Sequence, residues 1–157
     1  MKKKTKRGYY KQTNAKSTTY KGNKLRSGLE KTMYKLLEEN NIPFSYECRK
    51  FVIIKGEYFD RDSFEKQMNG KGDFINRGRK KVLDAKYTPD FTNPEREVLK
   101  WVIETKGRAM PDFSRTLKLF KNKMIQEKVD MVLFVPRTKR DCEDVIKELI
   151  KRGFNKK

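Results

Sequence analysis

Glu104 and Lys106 close the stretch "WVIETKG" (101–107), one residue apart, behind the apolar β-formers Trp101, Val102 and Ile103. In a strand, residues i and i+2 share a face, so the acid and the amine project together at the strand's end. Upstream, "KYTPDF" (86–91) sets Asp90 directly after Pro89. That proline interrupts regular pairing and fixes the backbone just before the acid. A hairpin partner carrying Asp90 brings a second carboxylate beside Glu104. Two carboxylates at close range repel, and a cation between them relieves both. Oxygen-only ligation with open positions suits Mg²⁺. The lysine is then free to neutralise a developing oxyanion or to hold a water. This set of groups suits hydrolysis of a phosphodiester.

A third acid is placed to join them. Glu30, Tyr34 and Leu37 form a column beside the apolar stripe of a helix, so Glu30 borders the buried face and can lean over a sheet. There it could complete a second metal site that shares Asp90. The chain contains no histidine, which excludes a histidine base, a histidine nucleophile and a His/Cys zinc centre. Carboxylates, lysine and an oxygen-loving metal remain.

Charge indicates the partner. The 157 residues include 40 Lys and Arg against 21 Asp and Glu, a formal net charge of +19. The first 29 residues hold ten of the basic groups and no acid. Such a field attracts polyanions, nucleic acid first among them. Candidate DNA contacts are Lys24, Arg26 and Ser27 at a helix N-terminus, Arg108, Lys118 and Lys121 after the motif strand, and Arg137, Lys139 and Arg140 after a later strand. Ser27 is equally a simple helix cap. Cys48 and Cys142 lie outside any C-x-x-C pair, as expected of free thiols in a reducing, cytoplasmic setting. No apolar run reaches the roughly 20 residues of a membrane span, and the basic start lacks the apolar segment of a secretory signal.

The elements that must position these groups follow from periodicity. Residues 1–24 read as a flexible basic arm, in which Tyr9, Tyr10 and Tyr20 are interleaved with lysines and suited to unstacked bases. Residues 25–157 read as one α/β domain, a mixed β-sheet flanked by helices. A helix is expected over about 26–40, carried by Leu25, Leu29, Met33, Leu36 and Leu37. Strands are expected at 44–54, 87–91, 97–105 and 130–136, the last in a sheet interior. A helix should run from 111 to about 128 with Phe113, Leu117, Phe120 and Met124 in the core. A final helix should open at Asp141, with Cys142, Val145, Ile146, Leu149 and Ile150 inward. Residues 55–86 read as a basic insertion holding a short helix near 62–68, then a loop or ribbon.

Taken with "LRSGLE" (25–30), the "YTPDF" and "IETKG" texts resemble the PD-(D/E)XK nuclease signature. In particular they resemble the phage endonuclease I family, Holliday-junction resolvases typified by the enzyme of T-odd phages. The resemblance covers roughly 24–54 and 86–140, with the motifs in the family's order. It implies a restriction-endonuclease-like core in an intertwined, domain-swapped homodimer that nicks four-way and other branched DNA in the host cytoplasm. It implies a catalytic set of Glu30, Asp90, Glu104 and Lys106, with two Mg²⁺ (or Mn²⁺) ions and no nucleotide cofactor. Asp90 would bridge the ions, Glu104 and the Thr105 carbonyl would hold one, Glu30 would help hold the other, and Lys106 would position water. The Glu30–Asp90 interval is longer than in the best-known member, with the excess at 55–86. Two other readings stay open: a nicking or homing-type endonuclease in which 55–86 reads duplex sequence, and a non-catalytic nucleic-acid binder.

Overall fold

The computed structural model describes residues 17–107 and 111–156. It opens on a hairpin, β1 (Thr18–Tyr20) against β2 (Asn23–Leu25), turning through Lys21 and Gly22 at φ 47° and 78°. Two positive φ values in a two-residue loop match the twist that hairpins prefer. The expected flexible arm is therefore folded in its last part. Leu25 is fully buried and anchors the hairpin, while the Tyr20 hydroxyl donates to Glu38 at 3.2 Å. Tyr20 packs edge-on against Tyr34, so it is not a free stacking platform. Tyr9 and Tyr10 lie outside the described residues.

Helix α1 (Gly28–Glu39) is capped by Ser27, whose hydroxyl accepts the Glu30 N–H at 3.1 Å. It buries Met33 and Leu37. The strand expected at 44–54 is two strands, β3 (Ser45–Tyr46) and β4 (Phe51–Ile54), in different sheets. Glu47 adopts φ 49° and gives its N–H to the Asp90 carbonyl at 2.9 Å. A left-handed residue cannot continue an extended run.

The insertion holds no helix. Strands β5 (Tyr58–Phe59), β6 (Phe64–Glu65), β7 (Ile75–Asn76), β8 (Lys80–Lys81) and β9 (Ala85–Tyr87) build one antiparallel ribbon with β4. The pairs are β4–β9, β5–β8 and β6–β7. The helix expected near 62–68 gives way to cross-strand bonds: Asn76 accepts the Ser63 N–H at 3.1 Å, and the Ser63 carbonyl accepts from Arg77 at 2.7 Å. A Cβ on Gly56 would stand 2.0 Å from the Val82 carbonyl oxygen, and one on Gly78 would stand 2.0 Å from that of Arg61. Only glycine lets the two strands approach so closely.

The central sheet comprises β10 (Phe91–Thr92), β11 (Trp101–Ile103) and β12 (Val132–Phe134) with β3, in the order β12-β11-β10-β3. Strand β10 runs antiparallel to β11 and β3, and β12 runs parallel to β11. The strand expected at 97–105 shortens because buried Asn93 takes the loop's bonds. Its Oδ1 accepts from Lys100 N–H and its Nδ2 donates to the Val98 carbonyl, both at 2.8 Å.

Alternation along β11 divides the core. Trp101 and Ile103 join Phe91, α1 and α3 (Lys139–Lys151) on one face. On the other, Val102 joins Tyr87, Phe120 and Met124 of α2 (Pro111–Gln126), with β4 packed alongside. Strand β12 is an edge strand, not an interior one. Its apolar run reflects cover on both faces, Leu133 toward α2 and Phe134 toward α1 and α3. Helix α3 starts from a Thr138–Asp141 capping box and buries Cys142, Val145, Ile146 and Leu149. Ile150 is 39% exposed, since one further residue turns about 100° off that face. The fold is mixed α/β.

Candidate active site

Strand β11 delivers its motif through backbone bonds that outlast the strand. The Glu104 N–H donates to the Phe134 carbonyl at 3.0 Å, and the Lys106 N–H to the Pro136 carbonyl at 2.9 Å. Residues 104 and 106 therefore ride along the β12 backbone, while Thr105 between them turns toward β10. Both the N–H and the hydroxyl of Thr105 donate to Asp90 Oδ2 at 2.7 Å. Two sequence-distant strand ends are locked together through that oxygen.

Glu30 arrives from α1 on the opposite layer. Its Oε2 accepts from the Arg26 N–H at 2.7 Å and from the Tyr46 hydroxyl at 2.8 Å. Ser27 hydroxyl contacts Oε1 at 3.1 Å. Tyr46 lies directly across from Phe91 in the β3–β10 pair, one residue from Asp90. The Arg26 guanidinium meets Asp90 Oδ1 at 3.3 Å and also bonds Glu47. The helix acid and the two strand acids thus share one end of the sheet, each no more than 5% exposed.

Their electrostatics show a shortage of positive charge. Burial, then the neighbouring Glu104 charge, push Asp90 up to about 7, and Glu30 adds to the rise against the Thr105 bonds. Burial likewise raises Glu104, opposed by Lys106 and by the Tyr87 hydroxyl, which donates to Oε2 at 3.0 Å. Lys106 Nζ stands 3.5 Å from Glu104 Oε1 and 4.8 Å from the centre of the Phe113 ring. Phe113 and Leu117 are only partly covered, so the start of α2 serves Lys106 as well as the core.

Among the described residues no three Asp, Glu, His or Cys side chains stand close enough to grasp a metal ion together. The donor set nonetheless fits a hard divalent cation. It is all oxygen, mostly buried, and holds three carboxylates against one amine and one guanidinium. Asp90, Glu104 and the Thr105 carbonyl are the groups that would hold one ion, and Glu30 would serve a second beside Asp90 rather than close on the first.

The expected DNA contacts divide. Arg26 stands exposed at the rim of the acids, and Arg137 is exposed next in the chain to Pro136, whose carbonyl accepts the Lys106 N–H. Lys24 is exposed on β2, and Lys139 and Arg140 on the first turn of α3. Ser27 is committed to the cap and to Glu30. Lys118 and Lys121 are exposed along α2, away from the acids' recorded bonds, and Arg108 lies outside the described residues.

Sequence reasoning missed Tyr46, Tyr87 and the Thr105 side chain as supports of the acids. Tyr87 opens the "YTPDF" text, but its reach to Glu104 depends on β9 lying over β11, which no periodicity reveals. No family model, curated protein or solved structure matches this chain.

Proposed function

We propose that this protein is a divalent-cation-dependent endonuclease that hydrolyses phosphodiesters in four-way and other branched DNA. The observation that carries the reading is the meeting of Glu30 with Asp90, Glu104 and Lys106 at one buried sheet end. Bound among those oxygens, Mg²⁺ would polarise the scissile phosphate and acidify the attacking water. The chain's own groups do the rest. Lys106 orients the water and offsets negative charge that builds on the phosphate. Thr105 fixes Asp90, Tyr87 fixes Glu104, and Tyr46 with Ser27 fixes Glu30, so the acids need no rearrangement during reaction. Arg26 and Arg137 grip flanking phosphates, and the basic N-terminal stretch adds salt-sensitive affinity.

Branch recognition through phosphates and shape suits a chain with 40 Lys and Arg against 21 Asp and Glu. A four-way junction is nearly two-fold symmetric, and two matched nicks call for a homodimer. The mixed sheet with helices on both faces suits the restriction-endonuclease-like core that the resemblance implies. An intertwined dimer would exchange elements where the chain crosses between sheets, and 47–50 is such a crossing. A second reading, a sequence-reading duplex endonuclease, is favoured by one feature: a two-stranded ribbon is narrow enough for the major groove.

The test is cleavage of a synthetic four-way junction beside a matched linear duplex, in Mg²⁺ or EDTA. Paired nicks on the junction alone support the first reading. Preferred cutting of one duplex site supports the second. Binding without Mg²⁺-dependent cleavage, unaltered by Asp90→Asn, overturns both in favour of a non-catalytic binder.

A further inference from the structure

Nine of the twelve large apolar side chains exposed among the described residues lie between 54 and 83, on the ribbon. Such a concentration of apolar surface marks an interaction site rather than ordinary scatter. At the ribbon's far end the exposed groups share one side. Phe64 pairs with Asn76, and residues two apart on a strand share a face, so Phe64, Lys66, Phe74 and Asn76 project together. The Lys66 Nζ accordingly stands 5.3 Å from the centre of the Phe74 ring. Phe64 is 62% and Phe74 63% exposed, and Met68, in the turn beyond them, lies wholly in solvent. That turn is held by its own bonds. The Gly70 N–H donates to the Gln67 carbonyl at 2.8 Å, and the Lys71 N–H to Asn69 Oδ1 at 2.9 Å.

Charge distinguishes the occupant. Residues 55–86 carry nine Lys and Arg against six Asp and Glu. Four of the acids are matched within the ribbon: Asp60 to Arg61, Asp62 to Arg79, Glu65 to Arg77 and Asp84 to Lys86. Among the described residues this leaves Lys55, Lys66, Lys71, Lys80 and Lys81 outside any ion pair, against Glu57 and Asp73 alone. The uncommitted charge is therefore cationic, and Lys66 and Lys71 flank the exposed rings. Rings interleaved with lysines suit unstacked nucleobases, since a base lies flat on a ring while a lysine meets the phosphate beside it. A paired duplex offers no free base face, and an apolar protein groove would leave the lysines unmatched. We propose that the far end of the ribbon is a stacking platform for unpaired bases, which directs the nuclease to DNA whose branch, bulge or loop exposes them. Met68 is of the residue type that wedges into opened base steps. The platform lies outside 24–54 and 86–140, the stretches that carry the family resemblance, so it is an addition to that core. It rests on the nuclease reading for its consequence, not for the binding itself.

The test is fluorescence anisotropy of the full chain in EDTA, which reads binding without cleavage. Two labelled probes are compared, an oligothymidine of about twelve nucleotides and an abasic strand of the same length and phosphate count. Wild type is expected to bind the base-bearing strand at least about tenfold more tightly, as the stacking of one base or more requires. Phe64→Ala with Phe74→Ala should bring the two affinities within about twofold of each other. Phe64→Tyr with Phe74→Tyr keeps both rings and should keep the preference, which separates stacking from any loss of fold. Lys80→Ala with Lys81→Ala should weaken both probes alike and lessen the salt dependence. Equal affinity of wild type for the two probes would overturn the proposal. So would a preference that survives Phe64→Ala with Phe74→Ala, which would leave the exposed rings to a protein partner. The two readings fail separately. A wild type that prefers the base-bearing strand but cuts nothing in Mg²⁺ keeps the platform and loses the nuclease. One that nicks junctions without that preference does the reverse.

Discussion

Two regions of this molecule break the usual partition of side chains, in opposite directions. At the end of the central sheet, three carboxylates are buried with too few cations. On the ribbon, large apolar groups stand in water. Each arrangement is costly alone and each is relieved by a partner of different chemistry: a hard cation for the first, an apolar surface for the second. The difference in how they are held is equally informative. The acids are fixed by Thr105, Tyr87, Tyr46 and Ser27 and by a core on both faces, so their strain is stored in a rigid place. Beyond β4 and β9, which pack against α2 and the core, the ribbon is held by its own cross-strand bonds and two glycine contacts. Local perturbation should therefore remove the ribbon while sparing the site.

The largest expected effect strikes the first region. Lys106→Ala should lower junction cleavage about 10²–10³-fold with binding little changed, as loss of a transition-state charge partner does; single-turnover cleavage and gel shift read the two separately. Next, Gly56→Ala sets a methyl group against the Val82 carbonyl and should open the ribbon. Limited trypsin digestion should then cut within 55–86 about tenfold faster, while thermal unfolding of the core shifts by less than about 1 kcal/mol. Equal destabilisation of both would contradict the separation drawn between them.

Asp90→Asn sharpens the electrostatic half. Its folded value is raised to about 7 from 3.8, so the native chain keeps a proton that the unfolded chain releases. The native state binds more protons in that window, so metal-free stability should fall as pH rises from about 4 through 7. The Asn variant should escape the fall and exceed wild type by on the order of 1–3 kcal/mol at pH 8 in EDTA, with little difference at pH 4. Melting curves check this, and added Mg²⁺ should stabilise wild type alone. Smallest is Tyr87→Phe, which removes one donor from Glu104. A cleavage loss of about tenfold is expected, from roughly 1–3 kcal/mol of uncompensated buried charge.

Much of this was legible in the sequence, for reasons that particular residues make plain. Helices α1, α2 and α3 follow from apolar periodicity and from Ser27, Pro111 and Asp141 near their starts, although α3 begins two residues earlier than expected, at Lys139 behind its Thr138 cap. The pairing of Asp90 with the Glu104–Lys106 strand followed from i, i+2 alternation and the proline. What stayed hidden depends on long-range register. Glu47 breaks a strand because its N–H meets Asp90, and no neighbour announces that. Residues 62–68 lost their expected helix to Asn76 and Arg77, across the ribbon. Strand β12 looked interior because helices cover both faces of an edge. Tyr46 and Tyr87 read as ordinary strand aromatics until the sheet carried their hydroxyls to Glu30 and Glu104.

The most direct test of the central claim is calorimetric titration of the full chain with Mg²⁺, or with Mn²⁺ where heats are small, beside Asp90→Asn and Glu30→Gln. Binding by the wild type, loss of it in Asp90→Asn and weakening in Glu30→Gln are the predicted results. Equal heats for all three proteins would contradict a cation centre built from these acids.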